Sequence, residues 1–309
     1  MLRTFPKSDN FSPTGQLALS FREAENWSEF LGCKGLTLLM GDEDAGPYIY
    51  FSSSEPMQDQ MKVGIAHGHD ADTWRISIQG TTNVGKYAYT ESQFRFQDGG
   101  ISYPGDNFTW GPDGGYGIVI FADRRGFPVR PVDANIAAKA AAAQQPMVER
   151  MGIDLQHPCP GAPAIRTTIG ATRHGHLDSS FETAAHWPEL APGTRAAVSV
   201  LGEPTVGPVL VMLHSDPGAL VVPAGTLACE TLHIVVDGSC EVDGETRTLG
   251  DFWAAEAGQQ SAVVAGSNGL SHALLIGNRQ AVAGFDVSKK TAIWADNLRD
   301  ITSTLLAQL

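Results

Sequence analysis

His67-Gly68-His69 places two imidazoles at alternate positions of a run that continues Asp70-Ala71-Asp72-Thr73-Trp74-Arg75-Ile76-Ser77-Ile78-Gln79-Gly80. In an extended strand successive side chains point to opposite faces, so residues 67, 69, 73, 75 and 77 share one face. Trp74, Ile76 and Ile78 take the other, into packing or an interface. Two imidazoles on one face can chelate one divalent ion, and the strand holds them apart at a fixed separation. Arg75 shares their face, where a guanidinium fork suits a carboxylate or enolate oxygen; substrate anchoring is expected of it, with an internal salt bridge as the alternative. Tyr87 and Tyr89 alternate in the next strand, beside Phe94, Phe96 and Trp110. Most of these aromatics read as core or pocket wall, and one of the two tyrosines is a candidate proton donor or extra ligand.

The elements that must position these groups are short β segments separated by Gly, Pro, Asp and Asn turns, such as Gly35 to Met40, Tyr48 to Ser52 and Trp74 to Gln79. Helical periodicity is confined to an Ala-rich stretch from Asp133 to Met151, with Asp133 as its N-cap, and to Trp294 to Leu309. The first stretch marks a boundary. The halves on either side repeat weakly: Trp27-Ser-Glu29 answers Trp187-Pro-Glu189, Gly41 answers Gly202, and Gly46-Pro47 answers Gly207-Pro208. After a short deletion Gly80 answers Gly238 and Gly100 answers Gly258. A repeat this long implies duplicated domains rather than a solenoid. The expectation is a first unit over residues 1–130, a helical linker over 131–160, and a second unit over 161–309 ending in a helix.

With its His-x-His, a gap and Gly80 at the end, the first half resembles the cupin superfamily, whose first motif also carries a Glu where this chain has Thr73. The second motif of that superfamily, a Gly, a Pro-Gly turn and then a His, is matched to Phe94 through Gly115, where Pro104-Gly105 is followed by Asp106 and Asn107 in place of the histidine. The resemblance implies an all-β protein of two tandem cupin barrels, each a double-stranded β-helix or jelly roll. It also implies a metal shell of His67, His69 and Asp106, a two-histidine, one-carboxylate face with open positions. Fe(II) is favoured for such a shell, and Mn, Ni or Zn would also suit it. In the second half the equivalent positions are Gly225, Leu227 and Thr231, followed by His233, and Asp106 is answered by Val264, so the chelating set is absent there. His174-Gly175-His176 precedes the Trp187 anchor and reads as a surface loop, with an accessory metal site as the alternative.

The 309 residues carry a formal charge of -13, with 42% hydrophobic and 18% charged side chains. The composition excludes disorder and fibrous repeats, and the acidity opposes nucleic acid and anionic lipid as partners. No segment approaches the length of a membrane span, and Met1 to Gly15 has no apolar stretch resembling a leader. Cys33, Cys159, Cys229 and Cys240 form no CxxC pair, consistent with reduced thiols in a cytoplasm. Dinucleotide, P-loop, zincin and α/β-hydrolase signatures are missing, and Gly111-Pro-Asp-Gly-Gly115 reads as a hairpin turn. The expected function is a metal-dependent enzyme acting on a small, anionic organic molecule, first a non-haem dioxygenase. A redox-neutral lyase, isomerase or cyclase and a non-catalytic ligand-binding protein are the alternatives. Homodimerisation is expected by resemblance.

Overall fold

The computed structural model describes residues 2–5, 7, 16–30, 33–54, 66–104, 110–154, 159, 165–203, 206–224 and 228–281. Its strands follow the alternation of the sequence. In the strand Thr73–Val84, Trp74, Ile76 and Ile78 are buried with Phe94 and Phe96 of Gln93–Gln97 and Ile118 and Ile120 of Trp110–Phe121. The opposite parity carries the polar side chains, so this sheet has one oily and one polar face. From edge to edge it runs Arg3–Phe5, Cys33–Leu39, Tyr48–Ser54, Trp110–Phe121, Thr73–Val84, Gln93–Gln97, His176–Ser180, with every pairing antiparallel. A short sheet of Ser102–Tyr103, His67–Gly68 and Arg130–Pro131 closes the barrel over the polar face.

The C-terminal half repeats the plan: Arg166–Thr167, Thr194–Val200, Val209–Ser215, Val263–Ile276, Thr231–Val242, Asp251–Ala255, Gln16–Ser20. The oily faces of the two large sheets meet in one buried cluster that joins Trp74, Phe51 and Ile118 to Leu232, Ile234 and Leu275. Phe51 stacks on Phe252 across this seam with centroids 4.0 Å apart. Each such ring contributes roughly 2–3 kcal/mol by leaving water.

The halves also exchange strands. Gln16–Ser20 pairs with Asp251–Ala255 of the C-terminal barrel, and His176–Ser180 pairs with Gln93–Gln97 of the N-terminal one. Each exchanged strand ends in a 3-10 helix, Phe21–Asn26 and Phe181–His186, whose N-cap serine accepts a backbone N–H two residues on. Neither sheet therefore divides at residues 131–160. There the Ala-rich helix Ala134–Met151 forms with Asp133 as N-cap and Gly152 in the left-handed conformation at its end.

Buried polar groups tie the seam reciprocally. Asp72 accepts N–H bonds from Gly99 and from Gly202 in the other half, both at 2.8 Å, and Glu230 accepts from Gly41 at 3.2 Å. Substituting Asp72 with Ala strands two partly buried N–H donors, so the variant is expected to unfold about 1–3 kcal/mol more easily in urea. A loss below about 1 kcal/mol would show that water replaces the carboxylate there.

Three local expectations meet the structure as follows. Gly111 to Gly115 is not a hairpin turn; it lies inside the strand Trp110–Phe121, where the register shifts between Trp110 and Gly115. His174-Gly175-His176 straddles a turn at the edge of the exchanged strand, with His174 at φ 53°. The helix expected over 294–309 lies outside the described residues, and no described helix is long and apolar enough to cross a membrane.

Candidate metal and anion site of the N-terminal barrel

His67 and His69 are both buried and converge under the short sheet. Tyr103, paired across from His67, puts its Oη 2.7 Å from His67 Nε2 and 3.3 Å from His69 Nε2. On the far side of the His69 ring, Nδ1 lies 2.5 Å from the Phe127 carbonyl oxygen, so Nδ1 donates and Nε2 keeps its lone pair. That is the arrangement by which proteins orient an imidazole ligand. Burial, with Arg75 and His67 adding to it, holds the His69 pKa well below the ordinary histidine value, and the ring is neutral. Burial raises the Tyr103 pKa while Arg75 opposes the rise. The phenol thus keeps one proton facing two imidazole nitrogens.

Arg75 is 7% exposed and reaches the same oxygen, donating from Nη2 to Tyr103 Oη at 3.2 Å. Its Nη1 donates to Thr73 Oγ1 at 3.1 Å and to Gln97 Oε1 at 3.2 Å. Thr73 and Gln97 face each other across two paired strands, so parity alone places both beside Arg75. All the acceptors that surround this guanidinium among the described residues are uncharged. The internal salt bridge considered for Arg75 is not formed there.

The fold is two antiparallel β-barrels in tandem. In its N-terminal barrel two imidazole nitrogens share one oxygen atom at hydrogen-bond distance, an arrangement that fits a divalent ion held by His67, His69 and an oxygen donor. Among the described residues no cluster of three His, Cys, Asp or Glu side chains supplies a complete shell. Asp106 lies outside the described residues.

Tyr103 is the residue that sequence reasoning passed over. Taking Pro104-Gly105 as the motif turn pushed the ligand search to Asp106. A turn also lies at Asp98 to Gly100, with Gly100 at φ +80° like its counterpart Gly258, while Gly105 lies outside the described residues. Three residues beyond each of these glycines stand Tyr103 and Ser261. The offset between Gly100 and Gly258 carried that signal already. The remaining candidates separate: Tyr89 is buried with its hydroxyl donating to Asp178 Oδ1 at 2.9 Å, and Tyr87 is 40% exposed, its ring under Arg95. Neither is hydrogen-bonded to an imidazole of the pair.

The C-terminal barrel is filled among its described residues. Val198, Val211, Val235, Val263, Leu274 and Ile276 pack its interior, with Trp253 stacked on His233 and His272. His233 Nε2 lies 2.9 Å from Gln260 Oε1 and its Nδ1 3.1 Å from His272 Nε2, while His272 Nδ1 has no hydrogen-bond partner among the described residues. Gly225 and Leu227 lie outside the described residues.

No family model matches the chain, and no curated protein matches it by sequence. Solved structures similar to it include a single-substitution variant of oxalate decarboxylase from Bacillus subtilis, 13% identical, covering 84% of this chain and 76% of that one with a TM-score of 0.46. A proposed dioxygenase from Nostoc punctiforme is 10% identical over 94% of this chain and 92% of that one, with a TM-score of 0.49. A further structure is of the Bacillus subtilis decarboxylase with its Mn(II) centres, 13% identical over 93% of this chain and 86% of that one with a TM-score of 0.43.

Proposed function

We propose that this chain is a metal-dependent enzyme of cupin type acting on a small anionic organic molecule in its N-terminal barrel. The observation that carries the reading is the convergence of His67 Nε2 and His69 Nε2 on one oxygen beside a buried guanidinium without a carboxylate partner among the described residues. His67 and His69 would hold the ion, with Tyr103 or Asp106 as the oxygen donor; Fe(II) remains our first choice, and Mn, Ni or Zn suits the same donors. A bound divalent ion would supply Lewis acidity and, for Fe(II), a site for oxygen. Arg75 binds and orients the anion, Phe127 fixes the His69 tautomer, and Tyr103 holds a proton at Oη that it can pass to a basic substrate atom.

Oxygenation is the favoured reaction, and a redox-neutral lyase, isomerase or cyclase follows from the same residues if turnover persists without oxygen. A second reading rests on the Tyr103 network itself. Arg75 and the two imidazoles satisfy the phenol without any ion, which suits a ligand-binding protein that works metal-free. Elemental analysis decides between them. The purified protein is expected to hold about one divalent ion per chain, and His67→Ala or His69→Ala to lower metal affinity at least about 100-fold. Protein that is metal-free under every metal supplied, with ligand binding intact, would leave only the second reading. Homodimerisation and a cytoplasmic setting remain part of the proposal, to be checked by sedimentation and by localisation.

A further inference from the structure

Three contacts hold the buried ring of Tyr103 in place. Its short strand pairs with His67–Gly68, and Tyr103 itself sits directly across from His67. The ring packs in a small cluster with Val84 and Tyr89. The Arg75 guanidinium lies over it, with Cζ 5.0 Å from the ring centroid, and Nη2 donates to Oη at 3.2 Å. The hydroxyl therefore cannot swing away from the imidazoles without breaking the strand pair and unpacking the cluster.

Both imidazoles direct Nε2 at that one oxygen, His67 from 2.7 Å and His69 from 3.3 Å. The Phe127 carbonyl keeps the His69 proton on Nδ1, so the lone pair of Nε2 points at Oη. An ion that takes both nitrogens lies along those directions, and so against Oη. Donors held about 2.0–2.2 Å from one divalent ion stand about 3 Å from each other. The two nitrogen–oxygen distances bracket that spacing, which puts Oη where a third donor belongs. A carboxylate in that place would first have to displace an oxygen held by a strand pair and a guanidinium. The other acceptors of Arg75 among the described residues, Thr73 and Gln97, are uncharged, so its positive charge is left to steady an anionic oxygen.

We propose that Tyr103 is the third protein ligand of the ion held by His67 and His69, bound through Oη as a phenolate with Arg75 as its counter-cation. The inference rests on the metal reading above and decides its oxygen donor. Binding breaks the Tyr103 O–H bond, sends the proton to solvent and puts an oxygen–metal bond in its place, with no transfer of electrons. A phenolate bound in this way no longer carries the proton assigned to Oη above, and regains it only when the oxygen leaves the ion. Coordinated imidazoles are neutral, so one phenolate only half neutralises a divalent ion. With Arg75 beside it the site stays positive, which suits an anionic substrate.

Iron is the probe, because a phenolate gives Fe(III) an intense visible charge-transfer band that imidazole and carboxylate ligands do not. The full chain, dialysed against a chelator, is given Fe(II) without oxygen, then oxidised with ferricyanide and desalted. The wild type is expected to turn coloured and to show the resonance Raman modes of a tyrosinate ring. Tyr103→Phe is expected to lose the band and to bind Fe(II) at least about tenfold more weakly. Tyr103→His, which keeps a donor in place, is expected to hold iron without the band. If neither variant folds, a tyrosinate band that persists in both Tyr87→Phe and Tyr89→Phe supports the assignment, and its loss in either overturns it. Cu(II), which also reports a bound phenolate by its colour, replaces iron if iron is not taken up. An ion bound by the wild type without a tyrosinate band, or a band that survives in Tyr103→Phe, overturns the proposal and leaves the metal-enzyme reading standing with another donor. Protein that holds no ion under any metal supplied overturns both.

Discussion

Lowering the pH from about 7 to about 4 is expected to weaken the wild-type fold by at least about 3 kcal/mol more than it weakens a His233→Phe/His272→Phe variant. Both rings are wholly buried against Trp253. Burial, only partly opposed by the hydrogen bond to Gln260, holds the His233 pKa at about 4, and burial with His233 beside it holds His272 well below the ordinary value. A histidine depressed in the fold binds its proton more readily when unfolded. Its stabilising contribution is therefore whole above about 6.5 and is lost as the pH falls toward about 4. A His233 that protonates at about 4 in the fold rather than at the ordinary 6.5 is by itself worth about 3 kcal/mol. Asp72 works the other way. Burial raises it to about 6, so its contribution falls as the pH rises through about 6, and it is recovered on acidification. It is common to both proteins and cancels in the comparison. Phenylalanine keeps the stack on Trp253 and removes the unpartnered His272 Nδ1, so the variant folds at neutral pH. Urea unfolding at the two pH values measures the difference, and parallel losses in the two proteins would refute the assignment.

Arg124→Ala is expected to cost about 3–5 kcal/mol, and Arg124→Lys to recover little of it. The buried guanidinium donates from Nε to Gly46 O at 3.1 Å, from Nη1 to Glu43 O at 2.9 Å and from Nη2 to Met40 O at 2.6 Å. These carbonyls belong to the loop between Cys33–Leu39 and Tyr48–Ser54. A single ammonium cannot reach all three, whereas the planar fork does. Burial lowers the Arg124 pKa to about 10, which leaves it charged at neutral pH. Gly46 belongs to the same device, because a Cβ there would sit 2.8 Å from Arg124 Nη2 as well as against Met40 O. Arg279 repeats the arrangement in the other half, donating to Gly207 O at 2.9 Å and to Leu201 O, beneath Gly207. Denaturant unfolding of the alanine variant within about 1 kcal/mol of wild type would show that the loop carbonyls are satisfied by water instead.

The repeat of Gly46-Pro47 and Gly207-Pro208 was visible in the sequence, but its cause was not. Arg124 and Arg279 lie far along the chain from the loops they hold, and nothing in local spacing links an arginine to a carbonyl about 80 residues away. Tyr103 was missed for a related reason. Its alternation with His67 and His69 exists only across the short sheet, whereas Pro104-Gly105 offers a local turn signal that draws attention first. Tyr87 and Tyr89 show the converse, since shared parity did not bring both to one place: the strand Tyr87–Tyr89 sits at the rim, and only Tyr89 turns inward.

What the sequence determined by itself was everything that the two-residue period of a strand controls. That covers the face shared by Thr73, Arg75 and Ser77, the oily face of Trp74, Ile76 and Ile78, the Ala-rich helix after Asp133, and the duplication, whereas His67–Gly68 is a separate strand of the short sheet and strand parity does not tie the imidazoles to Arg75. Tertiary structure decided which strand lies opposite which. It exchanged Gln16–Ser20 and His176–Ser180 between the barrels, set Asp178 against Arg95, brought Tyr103 to the imidazoles, and filled the second barrel with valine and leucine. The physical reason is range. Side-chain direction along a strand follows from local backbone geometry, whereas pairing and register are chosen by burial summed over the whole fold.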